Sequence, residues 1–290
     1  MSKLHTLRRA LRRGPVQAPA PDPRAVAMKE QLQELRKLNR RLERAVTRLE
    51  KARRKPASPR PTERSLPADY DDTAKDIIGE VRPFTMTSPD KLFALITAVR
   101  HVAATGLEGA IVECGVWRGG SMHAVARTLH SLGKEDRNLY LFDTFDGMTE
   151  PTDKDVSTGG RQASALLENS DRTARVWAVA SIEDVQQGLD GLPYPPDRFH
   201  LVRGPVEETI PDQAPEQIAL LRLDTDWYAS TRHELEHLYS RLVPGGVLII
   251  DDYGTWRGSK EATDEFMAGL DQPPLMLRAG RGRIGVKPLR

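Results

Sequence analysis

Residues 109–121, reading GAIVECGVWRGGS, constrain the fold more than any other stretch, because an apolar run turns there into a glycine-rich corner. Ile111 and Val112 read as the end of a buried β-strand. Glu113, Cys114 and Gly115 then supply an acid and a turn residue without a side chain. Gly119 and Gly120 let backbone approach a ligand closely, and Ser121 is placed to cap a helix running from Met122 toward Leu129. Strand, glycine turn and helix N-terminus is the arrangement by which α/β proteins hold adenosine cofactors.

The segments around this corner repeat its logic. Ser88 and Pro89 open a helix whose core face is Leu92, Leu95, Ile96 and Val99. Leu139 to Phe142 form the next strand, ending at Asp143, where a carboxylate can accept two hydrogen bonds from a ribose hydroxyl pair. Residues 149–160 are polar and aperiodic and read as a mobile loop or lid. Ser181 to Asp184 resemble a capping box. Further strands are expected at 199–202, 218–223 and 247–250, with helices between the later ones, which implies a parallel sheet covered on both faces. Residues 275–277 and 283–286, around a turn at Gly280 to Gly282, read as a terminal antiparallel hairpin.

The 290 residues, 39% of them apolar, suffice for a substantial core, and a lone cysteine, Cys114, excludes an intramolecular disulfide framework. That cysteine reads most simply as a small buried residue beside the turn. No apolar run approaches the length of a membrane span, so a cytoplasmic location is expected, at most peripheral to a membrane. The net charge of +2 conceals an asymmetry: residues 1–64 carry 19 Lys and Arg against six Asp and Glu, leaving −11 for the remainder. Four regions are expected. Residues 1–24 are a basic amphipathic terminus, with Leu4, Leu7 and Leu11 on one face, followed by a Pro/Ala linker. Residues 25–55 form a short coiled-coil helix, with Met28, Leu35, Leu42 and Leu49 at one heptad position and Leu32, Asn39 and Val46 at the other. Residues 56–69 are a Pro-rich linker, and 70–290 the folded body. The heptads suit either self-association into a homo-oligomer or packing of one helix on the body. The basic terminus is either a solvated end or a contact for an anionic membrane surface, and nucleic acid is not an expected partner.

Two acidic clusters follow the later strands, Asp224-Thr225-Asp226 and Asp251-Asp252. In an open parallel sheet both fall on the carboxyl edge that carries Glu113 and Asp143. So many like charges require a neutralising cation, and hard oxygen donors without a His/Cys set suggest Mg²⁺ or a similar divalent ion. The alternative is that one acid of each pair caps the following turn. Trp227, Tyr228 and Trp256 flank the acids and suit an acceptor pocket or the core equally. His233 to His237 match the HExxH pattern of zinc proteases, but both histidines fall opposite the apolar face of Leu235, Leu238, Tyr239 and Leu242 and are expected to face solvent.

ECGVWRGGS, LFDTFDGM, LLRLDTDWYAST, LVPGGVLIIDDYG and GRIGVKP together resemble the macrocin O-methyltransferase family, enzymes dependent on S-adenosylmethionine and Mg²⁺ that methylate sugar hydroxyls of natural products. The resemblance covers roughly Asp69 to Pro288 and leaves the basic arm unexplained. It implies the Rossmann-like class I methyltransferase fold with a seven-stranded, mostly parallel sheet. It also implies cofactor binding by Glu113, Gly115, Ser121 and Asp143, metal binding by Asp224, Asp251 and Asp252, and Asp224 as the base, with a small-molecule or glycan acceptor. Two other readings remain open from the residues: a glycosyltransferase using Asp224-Thr225-Asp226 as a DxD motif, which leaves the glycine corner without a role, and a scaffold tethered through the arm.

Overall fold

The computed structural model describes Lys37 and residues 66–289, and Leu66–Arg290 form one compact unit. Lys37 is helical and exposed; the basic terminus, the rest of the heptads and most of the Pro-rich linker lie outside the described residues. Seven strands are present among the described residues: β1 (Ala110–Cys114), β2 (Leu139–Asp143), β3 (Phe199–Arg203), β4 (Ile218–Leu223), β5 (Leu242–Ile250), β6 (Met276–Ala279) and β7 (Gly282–Val286). They form one sheet in the order β3-β2-β1-β4-β5-β7-β6. The first five are parallel, and β7 runs antiparallel to both β5 and β6, as expected of the terminal hairpin.

Helices cover both faces, so β1 and β4 are buried along their whole length and, apart from Glu113 and Arg222, apolar instead of alternating. On one face Leu95, Val99 and Val102 of α2 (Pro89–Thr105), Met122, Val125 and Leu129 of α3 (Gly120–Ser131), and Val185 and Leu189 of α5 (Ile182–Asp190) pack on Ile111, Leu139, Leu141, Leu220 and Val247. On the other, Val206 of the short α6 (Val206–Thr209) and Leu235 and Leu238 of α7 (Tyr228–Leu238) cover Val112, Phe142, Leu221, Leu248 and Ile250. Each such side chain contributes about 1.5–3 kcal/mol by leaving water. A third cluster joins α1 (Asp72–Val81) to α2 through Ile78, Val81, Leu92 and Ile96.

Three local features differ from the sequence reading. β1 runs on to Cys114, so Glu113 lies within the strand. α3 begins at Gly120, and its N-cap is Gly119 in the left-handed region (φ 77°), with Ser121 buried in the first turn instead of capping it. Ser181 does cap α5, accepting from Asp184 N at 3.1 Å, but the Asp184 carboxylate turns to Arg118 at 2.8 Å and leaves the box half closed.

The polar segment 149–160 is tied down at several points. Val156 pairs with Gln162 and Ser157 with Trp256 as antiparallel bridges. Asp155 is wholly buried; one oxygen accepts from Thr152 N and Oγ1 at 2.7 and 2.8 Å, the other from Tyr228 N at 2.7 Å. It therefore satisfies one of the unpaired amides at the start of α7, in place of a local N-cap side chain. The short α4 (Ala163–Glu168) follows directly.

Candidate active site

Strand register assembles the site. Cys114 is level with Leu223 and Leu223 with Ile250, and the ladder continues one residue further through Asp224 N to Cys114 O and Asp251 N to Leu223 O, both 2.9 Å. Gly115, Asp224 and Asp251 thus emerge side by side at the carboxyl edge. Gly115 has φ 80°, and a Cβ there would lie 2.2 Å from the Asp224 carbonyl oxygen. Only glycine lets β1 and β4 close up at this point.

One oxygen each from Asp224, Asp251 and Asp252 lie within 4.8 Å of one another. These are hard donors at a spacing that suits a divalent cation of the Mg²⁺ type. Unforeseen from the sequence, two protein cations share them. Arg222, on β4 and only 3% exposed, places Nη1 2.8 Å from Asp224 Oδ2 and Nη2 2.7 Å from Asp251 Oδ1; it also pairs with Glu113 and donates to Thr87 Oγ1 at 3.1 Å. Lys91 of α2 pairs with Asp251 Oδ2 and donates to its carbonyl at 3.0 Å. The argument that crowded acids need an external cation is therefore met in part by the chain itself. Five carboxylates (Glu113, Asp224, Asp226, Asp251 and Asp252) face two cations, and a surplus of negative charge remains.

The titration of these groups follows that imbalance. Burial raises Asp224 and Asp252 well above the usual carboxylate range, reinforced by neighbouring aspartates. Asp251 is held below it because Arg222 and Lys91 outweigh burial. Asp226 is pushed up to about 7 by burial and by the Asp224 charge. Its backbone is left-handed (φ 66°), its amide donates to Asp252 Oδ2 at 3.2 Å, and its Oδ1 accepts from Trp256 Nε1 at 2.5 Å. It makes no contact with a cation.

These groups line a cavity of about 350 Å³. Among the residues expected to bind cofactor, Gly115 and Asp143 line it, while Glu113 (1% exposed) and Ser121 (5%) lie behind its wall. Burial pushes Glu113 up to about 7 against the pull of Arg222 and the Ser121 hydroxyl, although no hydrogen bond to its Oε2 has normal geometry. Asp143 shapes the corner as well as facing it: Oδ2 accepts from Val116 N (2.7 Å) and Trp117 N (3.1 Å), and Oδ1 from Phe145 N (2.8 Å). Thr144 Oγ1 donates to Oδ1 as well, at 3.4 Å, so the roughly four lone-pair sites of the carboxylate are nominally filled and a ligand hydroxyl would compete with Thr144 for the weakest of them. Trp227 and Trp256 meet edge to face with centroids 5.0 Å apart, and both line the cavity, with Met148, Arg175 and Val176 also on its wall.

The HExxH residues do not form a zinc site. Glu234 is fully buried on the core side of α7, while the rings of His233 and His237 meet at a tilt, centroids 4.3 Å apart, on another face, half-buried instead of solvent-facing; His233 Nε2 lies 3.0 Å from Ile210 O.

Among known proteins, the macrocin O-methyltransferase (TylF) family profile matches residues 6–274, a span that takes in the basic arm as well as most of the body. A tetracenomycin 4'-O-methyltransferase of Streptomyces olivaceus, acting on the 8-demethyl-8-(2,3-dimethoxy-alpha-L-rhamnosyl) compound, is 35% identical over 169 residues. That match covers 58% of this chain and 62% of the relative, just under two thirds of its length. The demethyldecarbamoylnovobiocin O-methyltransferase of Streptomyces niveus is 30% identical over 64% of this chain and 69% of its own. The solved O-methyltransferase NovP superposes with a TM-score of 0.60 at 28% identity, over 71% of this chain and 82% of that one. The calicheamicin methyltransferase CalS11, at 19% identity and a TM-score of 0.50 over 77% of this chain and 94% of that one, shares the fold. The sheet order, the glycine corner on β1 and the acids beyond β4 and β5 are thus those of a chain that belongs to the macrocin O-methyltransferase family.

Proposed function

We propose that this chain transfers a methyl group from S-adenosylmethionine to a hydroxyl of a sugar or glycosylated natural product, with a divalent cation held by Asp224, Asp251 and Asp252. The observation that carries the reading is the register that sets those aspartates beside Gly115, on the wall of one cavity. The rhamnosyl acceptor named for one relative and the novobiocin-type acceptor of another support the substrate class.

When bound, the cofactor supplies an electrophilic methyl group and the cation lowers the pKa of an acceptor hydroxyl while fixing its angle. The chain's residues do the rest. Asp143 and the amides it holds shape the corner around Gly115 for an adenosine group. Trp227 and Trp256 wall the acceptor side and exclude water. Asp224 was the expected base; its Oδ2 is shared with Arg222 and its carboxylate belongs to the ligand set proposed for the cation, so its lone pairs are committed to those two roles. Asp226 takes the acceptor's proton in our reading, since it lines the cavity, carries no cation and is oriented by Trp256.

The arm is assigned to self-association through residues 28–49, and the basic terminus to an anionic membrane surface. No helix among the described residues is long and apolar enough to cross a membrane.

The test is calorimetric titration with S-adenosylhomocysteine and, separately, a nucleotide sugar, each with and without Mg²⁺. The homocysteine compound is expected to bind, and transfer of labelled methyl to a deoxysugar-bearing acceptor is expected to stop in EDTA and return with Mg²⁺. Binding of the nucleotide sugar without any binding of S-adenosylhomocysteine would overturn the cofactor reading.

A further inference from the structure

Lys91 lines the cavity, yet the proposed reaction gives it nothing to do. Its ammonium is paired with Asp251 Oδ2 and bonded to the Asp251 carbonyl, and the charges of Asp251, Asp224 and Asp252 all act on it. Those are the three carboxylates whose oxygens converge within 4.8 Å. The lysine therefore sits against the ligand set assigned to the divalent cation.

The two protein cations at this edge differ in freedom. Arg222 is locked, with three carboxylates and Thr87 around a rigid planar fork on a central strand. Lys91 presents a point charge on a flexible four-carbon stem. Its backbone is fixed in the first turn of α2 by the buried Leu92, Leu95 and Ile96, but its side chain is 14% exposed on the cavity. The stem also passes a position without a side chain: a Cβ at Gly280 would lie 3.2 Å from Lys91 Cγ. One cation can yield its place and the other cannot.

We infer that Lys91 is a tethered counter-ion, occupying an Asp251 oxygen when no divalent cation is bound, and that a divalent cation binds by displacing it. The inference rests on the cation site proposed above. It makes the apparent affinity of that site the difference between two interactions with one carboxylate, so a cation alone is held weakly. A permanent positioning role predicts the opposite, because removing the lysine would then disorder Asp251 and weaken the site.

The experiment titrates Mn²⁺ into the full-length protein by calorimetry, comparing wild type with Lys91→Met and Lys91→Arg, with no other ligand present. Lys91→Met keeps the stem and removes the charge. It is expected to bind Mn²⁺ at least about tenfold more tightly, given the strength of a charge pair at this range. Its Tm should fall without metal and rise more than that of wild type on saturation. Lys91→Arg should bind no more tightly than wild type. Far-UV circular dichroism establishes that each variant is folded, and Lys91→Gln replaces the Met variant if that one is not. Unchanged or weaker binding by the charge-free variant, with wild type binding normally, overturns the counter-ion role alone. Absence of binding in both overturns it together with the cation site.

Discussion

Arg222 Nη1 lies 2.8 Å from Asp224 Oδ2, so a carboxylate expected to serve a cation is already shared with a buried guanidinium two residues before it on the same strand edge. The guanidinium spans three strands, reaching Glu113 on β1 and Asp251 beyond β5. The chain thus carries a permanent electrostatic brace across the edge where chemistry is proposed.

Removing that brace should be costly. Arg222→Met leaves Glu113 and Asp251 buried with less compensation, and breaking a buried charge pair costs about 3–5 kcal/mol. Urea unfolding at neutral pH measures it. A loss below about 1 kcal/mol would mean that the carboxylates simply take up protons and the brace adds little.

Asp226 and Asp224 should fail differently. Asp226→Asn is expected to lower kcat by about 10²- to 10⁴-fold, the range for a lost general base, with Mg²⁺ and S-adenosylhomocysteine affinities unchanged. Asp224→Asn should lose Mg²⁺ binding itself. Single-turnover rates with parallel calorimetry separate the two, and full activity in Asp226→Asn returns the proton to another group.

Trp256→Phe keeps an aromatic edge against Trp227 but deletes the 2.5 Å hydrogen bond to Asp226 Oδ1. A hydrogen bond to a charged group contributes about 1.5–3 kcal/mol, so kcat should fall about tenfold or more. The KM for the acceptor should change little. A rise in KM with kcat intact would make Trp256 a wall of the acceptor pocket and nothing more.

His123 supplies an acid limb to stability. It is 1% exposed against Phe84, its pKa is lowered to about 4 by burial and then by the charges of Arg127 and Arg118, and its Nε2 lacks a partner. Because the folded-state pKa lies below the ordinary value of 6.5, the neutral ring's contribution is complete above pH 6.5 and is lost as pH falls toward 4. That window amounts to roughly 3 kcal/mol. Unfolding free energies at pH 7.5 and 4.5 should differ less in His123→Gln than in wild type; equal slopes would assign the acid limb to the carboxylates.

The strands at 199–203 and 218–223, the closing hairpin and the acids beyond β4 and β5 were legible because apolar runs and glycine punctuation are local signals. Arg222 was not, since within LLRLD it reads as an interruption of a buried run. A signal was present nonetheless: a period of two places residues 222 and 224 on one side of the strand, so an arginine between leucines implies an acid nearby. Lys91 had no such signal, because its partner lies 160 residues away and only the packing of α2 brings them together. The ties of the segment 149–160 were not legible for a related reason. Composition shows that Asp155 is polar but not that it closes the N-terminus of a helix 73 residues later.

Trp256 carries two attachments at once: its backbone bridges Ser157 of the polar segment 149–160, and its ring holds Asp226. Any movement that parts Ser157 from Trp256 to admit a bulky acceptor would also pull on the indole that aims the carboxylate. A change that frees residue 157 from Trp256 would therefore be felt at Asp226, through one side chain and without any contact between the two.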